Sequence, residues 1–185
     1  MKDWTNQIDK TTSEFKQLFS ELSSEELNWK SNAKTWSIAQ NIDHLIAINK
    51  TYFPILAELK SGKYKLPFIG KFGFIVSYLG KLILNAVEPS RKKKTKTFSI
   101  WEPSKSKIPA DILEQFSNHQ NELKREIFAA KDLVENGAII YSPANKNIVY
   151  KLEMAFDVIV THEQRHLEQA KEVLSQLKKR PKVIA

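Results

Sequence analysis

The sequence is organised around Thr161-His162-Glu163-Gln164-Arg165-His166-Leu167-Glu168-Gln169, near the C-terminus. The chain has 4 histidines, and two of them stand here, four residues apart. Residues i and i+4 of a helix lie on one face, one turn apart, so the two imidazoles would project side by side. Two imidazoles in this arrangement can bind one metal ion. The stretch therefore predicts a metal site on a C-terminal helix.

This helix is predicted to run from about Ile148 to Lys179. Its inward face reads Leu152, Ala155, Ile159, His162, His166, Gln169, Val173 and Leu177. The two histidines thus take positions that an ordinary helical bundle fills with Leu or Ile. An unpaired buried polar group costs roughly a few kcal/mol. A shared metal ion removes that cost for both rings, so the pattern favours a metal over two ordinary core histidines.

Helical spacing of apolar residues predicts three further helices. They span about residues 4–22, 37–60 and 109–136. Pro54 is expected to kink the second of them, because proline removes a backbone hydrogen bond. His44 borders the apolar face of that same helix.

No strand is predicted, and residues 138–148 are interpreted as a loop. The fold class is therefore all-α, an antiparallel four-helix bundle. One domain is expected over residues 1–180, followed by a tail at 181–185. An extended, partly helical insertion is expected at about 63–107, between the second and third long helices.

The insertion contains an apolar stretch from Phe68 to Val87, followed by the basic run Arg91–Lys96. Three glycines and two lysines interrupt the apolar stretch, and a membrane span needs about 20 mostly apolar residues. A buried or lid-like helix at about 74–85 is therefore favoured. Association of residues 68–96 with an anionic membrane surface is the alternative.

The composition bounds the function. The 185 residues carry a formal charge of +8 and contain no cysteine, which excludes thiolate metal sites and a cysteine nucleophile. The lysines are interspersed with glutamates and accompany no nucleic-acid reader motif, so nucleic acid is not the favoured partner. The start of the chain lacks the apolar region of a secretory signal, and a cytoplasmic location is expected.

The same histidines match the protease-type motif His162-Glu163-x-x-His166, in which the glutamate is the general base. Enzymes with that motif take their third ligand from downstream. Only 19 residues follow His166, and none is a histidine. The third ligand must therefore lie upstream. Glu163 then becomes an exposed or supporting carboxylate, although it stays a candidate base.

Two segments together resemble the DinB-like superfamily, which includes YfiT-type metal-dependent hydrolases. They are Trp36-Ser37-Ile38-Ala39-Gln40-x-x-x-His44-Leu45 and His162-x-x-x-His166-x-x-Gln169. The resemblance implies a four-helix bundle in which His44, His162 and His166 bind a nickel, zinc or iron ion. It also implies a hydrolase or a bacillithiol-type thiol transferase acting on a small molecule, and a homodimer. The insertion at 63–107 is longer than the resemblance leads us to expect.

Four other residues are candidates near the site. Gln40 and Gln169 each lie about one turn from a histidine, where they would orient a ligand or a water, or serve as ordinary capping or surface glutamines. His119 is a candidate fourth ligand or proton-transfer group. Arg165 is placed on the solvated side of its helix, away from the ligand pair.

Three functions remain open. The first is an enzyme whose ion lowers the pKa of a water or a thiol and so generates the nucleophile at neutral pH. The second is a non-catalytic binding or stress-associated protein of the same fold. The third is a module that associates with an anionic membrane or with nucleic acid through residues 68–96.

Overall fold

A computed structural model describes residues 2–90 and 97–180 of the chain. The basic run at 91–96 and the tail at 181–185 lie outside these described residues. The described part is mostly helical and includes one two-stranded sheet. The helices are α1 (Trp4–Phe19), α2 (Ser24–Asn28), α3 (Ile38–Lys50), α4 (Phe53–Lys60), α5 (Gly73–Val87), α6 (Ile112–Ala129), α7 (Lys131–Glu135) and α8 (Leu152–Lys178). The strands are β1 (Ile139–Ser142) and β2 (Asn145–Lys151), and two 3₁₀ segments span Phe68–Lys71 and Ser99–Trp101.

The core is lined mainly by α1, α3, α6 and α8. Helix α3 contacts α8 and α6, and α1 contacts the same two helices. The core forms two apolar clusters, one that includes Trp4 and Phe156 and one that includes Phe15 and Phe116. Buried polar side chains also occur along α3 and α8, among them His44 and Glu163. The helices thus bring polar groups together deep inside the molecule, where each needs a partner.

The second predicted long helix is divided into α3 and α4. Helix α3 begins with the expected Ser37 cap, whose side chain accepts a hydrogen bond from the Gln40 backbone N–H at 3.1 Å. It ends at Lys50, and Pro54 falls in the first turn of α4, where its missing N–H leaves no helical bond unmade. The chain leaves α4 at Gly62, which has a φ of +69°, a conformation that glycine adopts at little cost.

The prediction of a loop at 138–148 is wrong, because these residues enter an antiparallel hairpin. Ile140 pairs with Tyr150, and both are buried. The two strands were missed because polar residues between Pro143 and Asn147 separate two short apolar runs. These runs, residues 139–141 and 148–150, have the β-branched and aromatic content typical of strands. The last helix consequently begins at Leu152 and not at about Ile148.

The predicted helix at about 74–85 is present as α5, which packs on β2 and α8. The contact is close at Gly80, where a Cβ atom would lie 3.1 Å from Cγ of Met154 and 3.2 Å from Cβ of Tyr150. Glycine thus lets the α5 backbone approach the hairpin this closely without displacing either side chain. Within the described residues, no helix combines the length and apolarity needed to traverse a bilayer.

Candidate metal centre

The structure brings together the three histidines that the sequence singled out. His44 projects from α3, and His162 and His166 project from consecutive turns of α8. Their ligand nitrogens all lie within 4.8 Å of one another. Nε2 of His162 and Nε2 of His166 are 3.0 Å apart. Two nitrogens that bind one ion at about 2.0–2.1 Å each are separated by about 3 Å, so this spacing matches a shared ion.

The orientation of His166 is set by Asn41, one of the buried polar residues of α3. The Asn41 Nδ2 donates to the Ser37 carbonyl at 2.8 Å, which leaves Oδ1 facing the histidine. That oxygen accepts a hydrogen bond of 2.7 Å from Nδ1–H of His166. The proton therefore stays on Nδ1, and Nε2 presents a lone pair to the other histidines.

The orientation of His44 is set by a backbone group of the insertion. Nδ1 of His44 lies 2.5 Å from the carbonyl oxygen of Trp101, and a carbonyl can only accept. The Nδ1 of His44 therefore carries the proton, and its Nε2 is free to bind an ion. Trp101 is in turn held by its own indole N–H, which donates to Oγ1 of Thr51 at 3.2 Å.

All three imidazoles are held in their neutral form. Burial lowers the pKa of His44, and it lowers the pKa of His162 and of His166 well below the usual range. Neutral imidazole is the form that binds a metal, so burial favours the charge state that an ion requires of its ligands. The protonation state, the Nε2 orientation and the spacing of this donor set all fit a divalent ion.

Trp36 packs directly on two of the candidate ligands. Its ring lies 4.8 Å from the His44 ring and is stacked on the His166 ring at 5.7 Å. This packing restricts the rotation of two ligand rings, which keeps their nitrogens directed at one point.

The three histidines open onto a cavity of about 700 Å³. Its walls are largely apolar and include Ile48, Val158 and Trp101. Helix α5 contributes Ile83, Ala86 and Val87 to the wall. A polar margin consists of Lys34, Arg165, Glu168, Gln169, Glu172 and Gln176. The volume falls in the range of pockets that hold small molecules, and part of the predicted insertion covers it.

The prediction that Arg165 faces away from the ligands is wrong. Arg165 lines the cavity, and its Nη1 donates to the carbonyl oxygens of Ala86 at 3.0 Å and Glu88 at 3.2 Å. The last carbonyls of a helix have no partner within the helix and attract cations. Arg165 therefore ties the turn of α8 between His162 and His166 to the end of α5.

Glu163 is fully buried, so the expectation of an exposed carboxylate is wrong. Its oxygens accept hydrogen bonds of 2.8 Å from Nδ2 of Asn49 and from Nε2 of Gln120. Burial raises the pKa of Glu163 to about 7, and these two hydrogen bonds oppose that rise. Glu163 joins α8 to α3 and α6, and it is not among the described residues that line the cavity.

Of the three remaining candidates, only Gln169 lines the cavity together with the histidines. Its role in orienting a ligand or a water stays a prediction. Gln40 belongs to the capping box of α3, and its Nε2 donates to the Ser104 carbonyl at 2.8 Å. His119 lies outside the three-histidine group, stacked 5.6 Å from the Phe53 ring, so it is not a fourth ligand in this arrangement.

Two supporting groups were missed at the sequence level. Asn41 had a signal, because an amide three residues before His44 on the inward side of a helix needs a buried partner. Trp101 had none, since the group that orients His44 is a backbone carbonyl, which every residue possesses.

Of three comparisons with known proteins, one identifies the family of this chain. No match was found among curated proteins or among solved structures. A family model described as the DinB superfamily matches residues 7–170, a range that holds α3, the three histidines and most of α8. With this match over most of its length, the chain belongs to the DinB superfamily.

Proposed function

We propose that this protein is a divalent-metal-dependent enzyme that adds a water or a low-molecular-weight thiol to an electrophilic small molecule. One observation carries the proposal: three neutral imidazoles with converging Nε2 atoms line a cavity of about 700 Å³. Catalytic metal sites have three protein ligands and an open position, whereas structural sites are closed by four. Among the described residues, no fourth His, Asp or Glu joins the group.

His44, His162 and His166 would hold the ion, which would supply Lewis acidity and so lower the pKa of a water or thiol in the site. The chain supplies the remainder. Trp36 and Asn41 hold the ligand rings, and the apolar walls around Ile48 and Val158 exclude bulk water. Gln169 and Arg165 place polar groups at the margin, where they can orient a substrate.

The scaffold in this proposal is an antiparallel four-helix bundle of α1, α3, α6 and α8, with the α5 region as the insertion. The ligands stand on α3 and α8, which pack against each other along the bundle. The homodimer stays a prediction, which sedimentation equilibrium of the full chain tests.

Metal content provides the first test. Untagged wild-type protein is expected to retain about one nickel, zinc or iron ion per chain after dialysis, by elemental analysis. His162→Ala should lose most of it, because it removes one of three ligands. His119→Phe is the matched control, since it removes the histidine outside the group and should retain the ion. Equally little metal in wild type and His162→Ala would contradict the proposal.

The second test separates the two reactions. Metal-loaded wild type is supplied with bacillithiol and chlorodinitrobenzene, or with a nitrophenyl ester alone. Thiol transfer predicts metal-dependent thioether formation with loss of chloride, and hydrolysis predicts metal-dependent release of nitrophenol. Both activities should disappear in His162→Ala. A loaded protein that catalyses neither reaction would support a non-catalytic binding protein.

A further inference from the structure

The outward side of α5 is apolar and exposed. Phe74, Tyr78 and Leu82 follow one another at four-residue intervals and therefore lie on one face of the helix. Their exposed fractions are 75%, 66% and 49%. The opposite side of α5 packs on the rest of the protein, since Val76 is buried and Gly80 lies against the hairpin. The exposed row is thus a second apolar face.

The preceding 3₁₀ segment extends this row. The Phe68 ring lies 5.4 Å from the Phe72 ring, which lies 6.3 Å from the Phe74 ring. Phe68 is 71% exposed, and Nζ of Lys71 lies 5.5 Å from the centre of its ring. We call these five residues, Phe68, Phe72, Phe74, Tyr78 and Leu82, the aromatic row. Soluble proteins seldom expose a continuous apolar surface of this kind without a partner.

The charge around the aromatic row has one sign. Lys63, Lys65, Lys71 and Lys81 are exposed, and no acidic residue occurs between Glu58 and Glu88. Residues 59–101 hold ten of the 29 Lys and Arg residues and one of the 21 Asp and Glu residues. This segment therefore carries a formal charge of +9, and the rest of the chain carries −1.

We propose that the aromatic row docks on the surface of an anionic lipid bilayer. Aromatic and leucine side chains enter the boundary between headgroups and acyl chains, while neighbouring lysines bind anionic headgroups. Lysine stems can extend along apolar surface and keep the ammonium at the headgroup level. Lys71 is placed for this, since its Nζ lies 5.5 Å from the centre of the Phe68 ring. The proposal requires no metal and does not depend on the proposed reaction.

Two other occupants fit the surface less well. A two-fold dimer through this face would place one strongly basic surface against its copy, because such an interface is self-complementary. A single-stranded nucleic acid is bound in a groove that follows its backbone, with bases stacked on aromatic rings. The aromatic row runs from the 3₁₀ segment along the outer side of α5, and its Leu82 offers no ring.

Vesicle sedimentation at low salt tests the proposal with the full chain. Wild type is mixed with phosphatidylcholine vesicles, with or without about one third phosphatidylglycerol, and binding is expected only to the anionic vesicles. Phe74→Ser with Tyr78→Ser should weaken binding at least about tenfold, because two inserted rings are lost. Lys71→Gln with Lys81→Gln should weaken it about fivefold per lysine, and added salt should weaken the wild type.

Matched controls lie on other helices. Phe128 of α6 is exposed to the same 75% as Phe74, so Phe128→Ser removes an equally exposed ring elsewhere. Lys10→Gln with Lys16→Gln removes two exposed lysines of α1. Both controls should bind anionic vesicles as wild type does, and circular dichroism should show that every variant is folded.

Four results would overturn the proposal. The first is no sedimentation of wild type with anionic vesicles at low salt. The second is an equal loss of binding in Phe128→Ser. The third is that the Phe74 and Tyr78 substitutions leave vesicle binding unchanged but lower the mass of the free protein measured by light scattering. That result would assign the face to a second copy of the chain. Tighter binding to single-stranded DNA than to anionic vesicles would likewise assign it to nucleic acid.

Discussion

Replacement of Asn41 by alanine should weaken metal binding without removing any ligand. The substitution deletes the acceptor of the 2.7 Å hydrogen bond from Nδ1–H of His166, so the ring loses the contact that directs its Nε2 at the site. Loss of such a supporting contact lowers metal affinity about 10- to 100-fold, or about 1.4–2.8 kcal/mol. Competition with a chromogenic zinc chelator at pH 7 measures the dissociation constant directly.

Asn49 provides the matched control. It lies two turns further along α3 and is equally buried, but it donates to Glu163 at 2.8 Å and touches no histidine of the site. Asn49→Ala should cost stability of about 1–3 kcal/mol, as Asn41→Ala should, because each leaves a buried polar group unpaired. Only Asn41→Ala should lower the metal affinity, and Asn41→Asp should restore it, since a carboxylate oxygen still accepts from His166.

Two outcomes would refute this reasoning. One is a dissociation constant for Asn41→Ala within about twofold of wild type, well below the loss expected when a supporting contact is removed. The other is an equal loss of affinity in Asn49→Ala, which would mean that general destabilisation and not the orientation of His166 determines binding. Urea unfolding of both variants shows whether their stabilities are matched.

Further predictions concern the helix interface and the buried histidine outside the site. Gly80→Val should lower the free energy of unfolding by about 1–3 kcal/mol in a urea titration, because the new side chain would overlap Met154 and Tyr150. Gly73→Val is the control and should have little effect, since a Cβ atom at Gly73 would meet nothing within 4 Å. His119 has a pKa lowered to about 4 by burial and, to a lesser degree, by a lysine charge, so its folded form resists protonation. Stability from this group is complete above pH 6.5 and falls as the pH drops toward 4, by about 3 kcal/mol. His119→Phe should remove that loss, so its unfolding free energy relative to wild type should rise between pH 7 and pH 4; a difference independent of pH would contradict the assigned pKa.

The residues of the site were accessible from the sequence because they follow the helical period. His162 and His166 lie one turn apart, and the resemblance pointed to His44, which borders the apolar face of its helix. The same period, applied consistently, contradicts the far-side placement of Arg165, since residues three apart are neighbours and Arg165 follows His162 by three.

Features that depend on tertiary contacts could not be predicted. The hairpin strands are short, and Ile140 and Tyr150 are buried only because α5 and the core cover them. The carbonyl of Trp101 has no signature in the sequence, and its position depends on how the insertion folds back on α3. Burial of Glu163 likewise required a partner from each of two other helices, Asn49 and Gln120.

The tie between Arg165 and the end of α5 has a thermodynamic consequence. A divalent ion bound at the histidines would repel the Arg165 guanidinium on the same turn of α8. Because Arg165 bonds to the end of α5, filling the site would then change the free energy of local opening of α5. Linkage makes this effect reciprocal. The factor by which the ion changes the equilibrium for opening of α5 equals the factor by which that opening changes the affinity for the ion. Amide hydrogen exchange along α5, with and without zinc, would report this coupling energy. A partner bound to the exposed face of α5 would then change the metal affinity without touching the histidines.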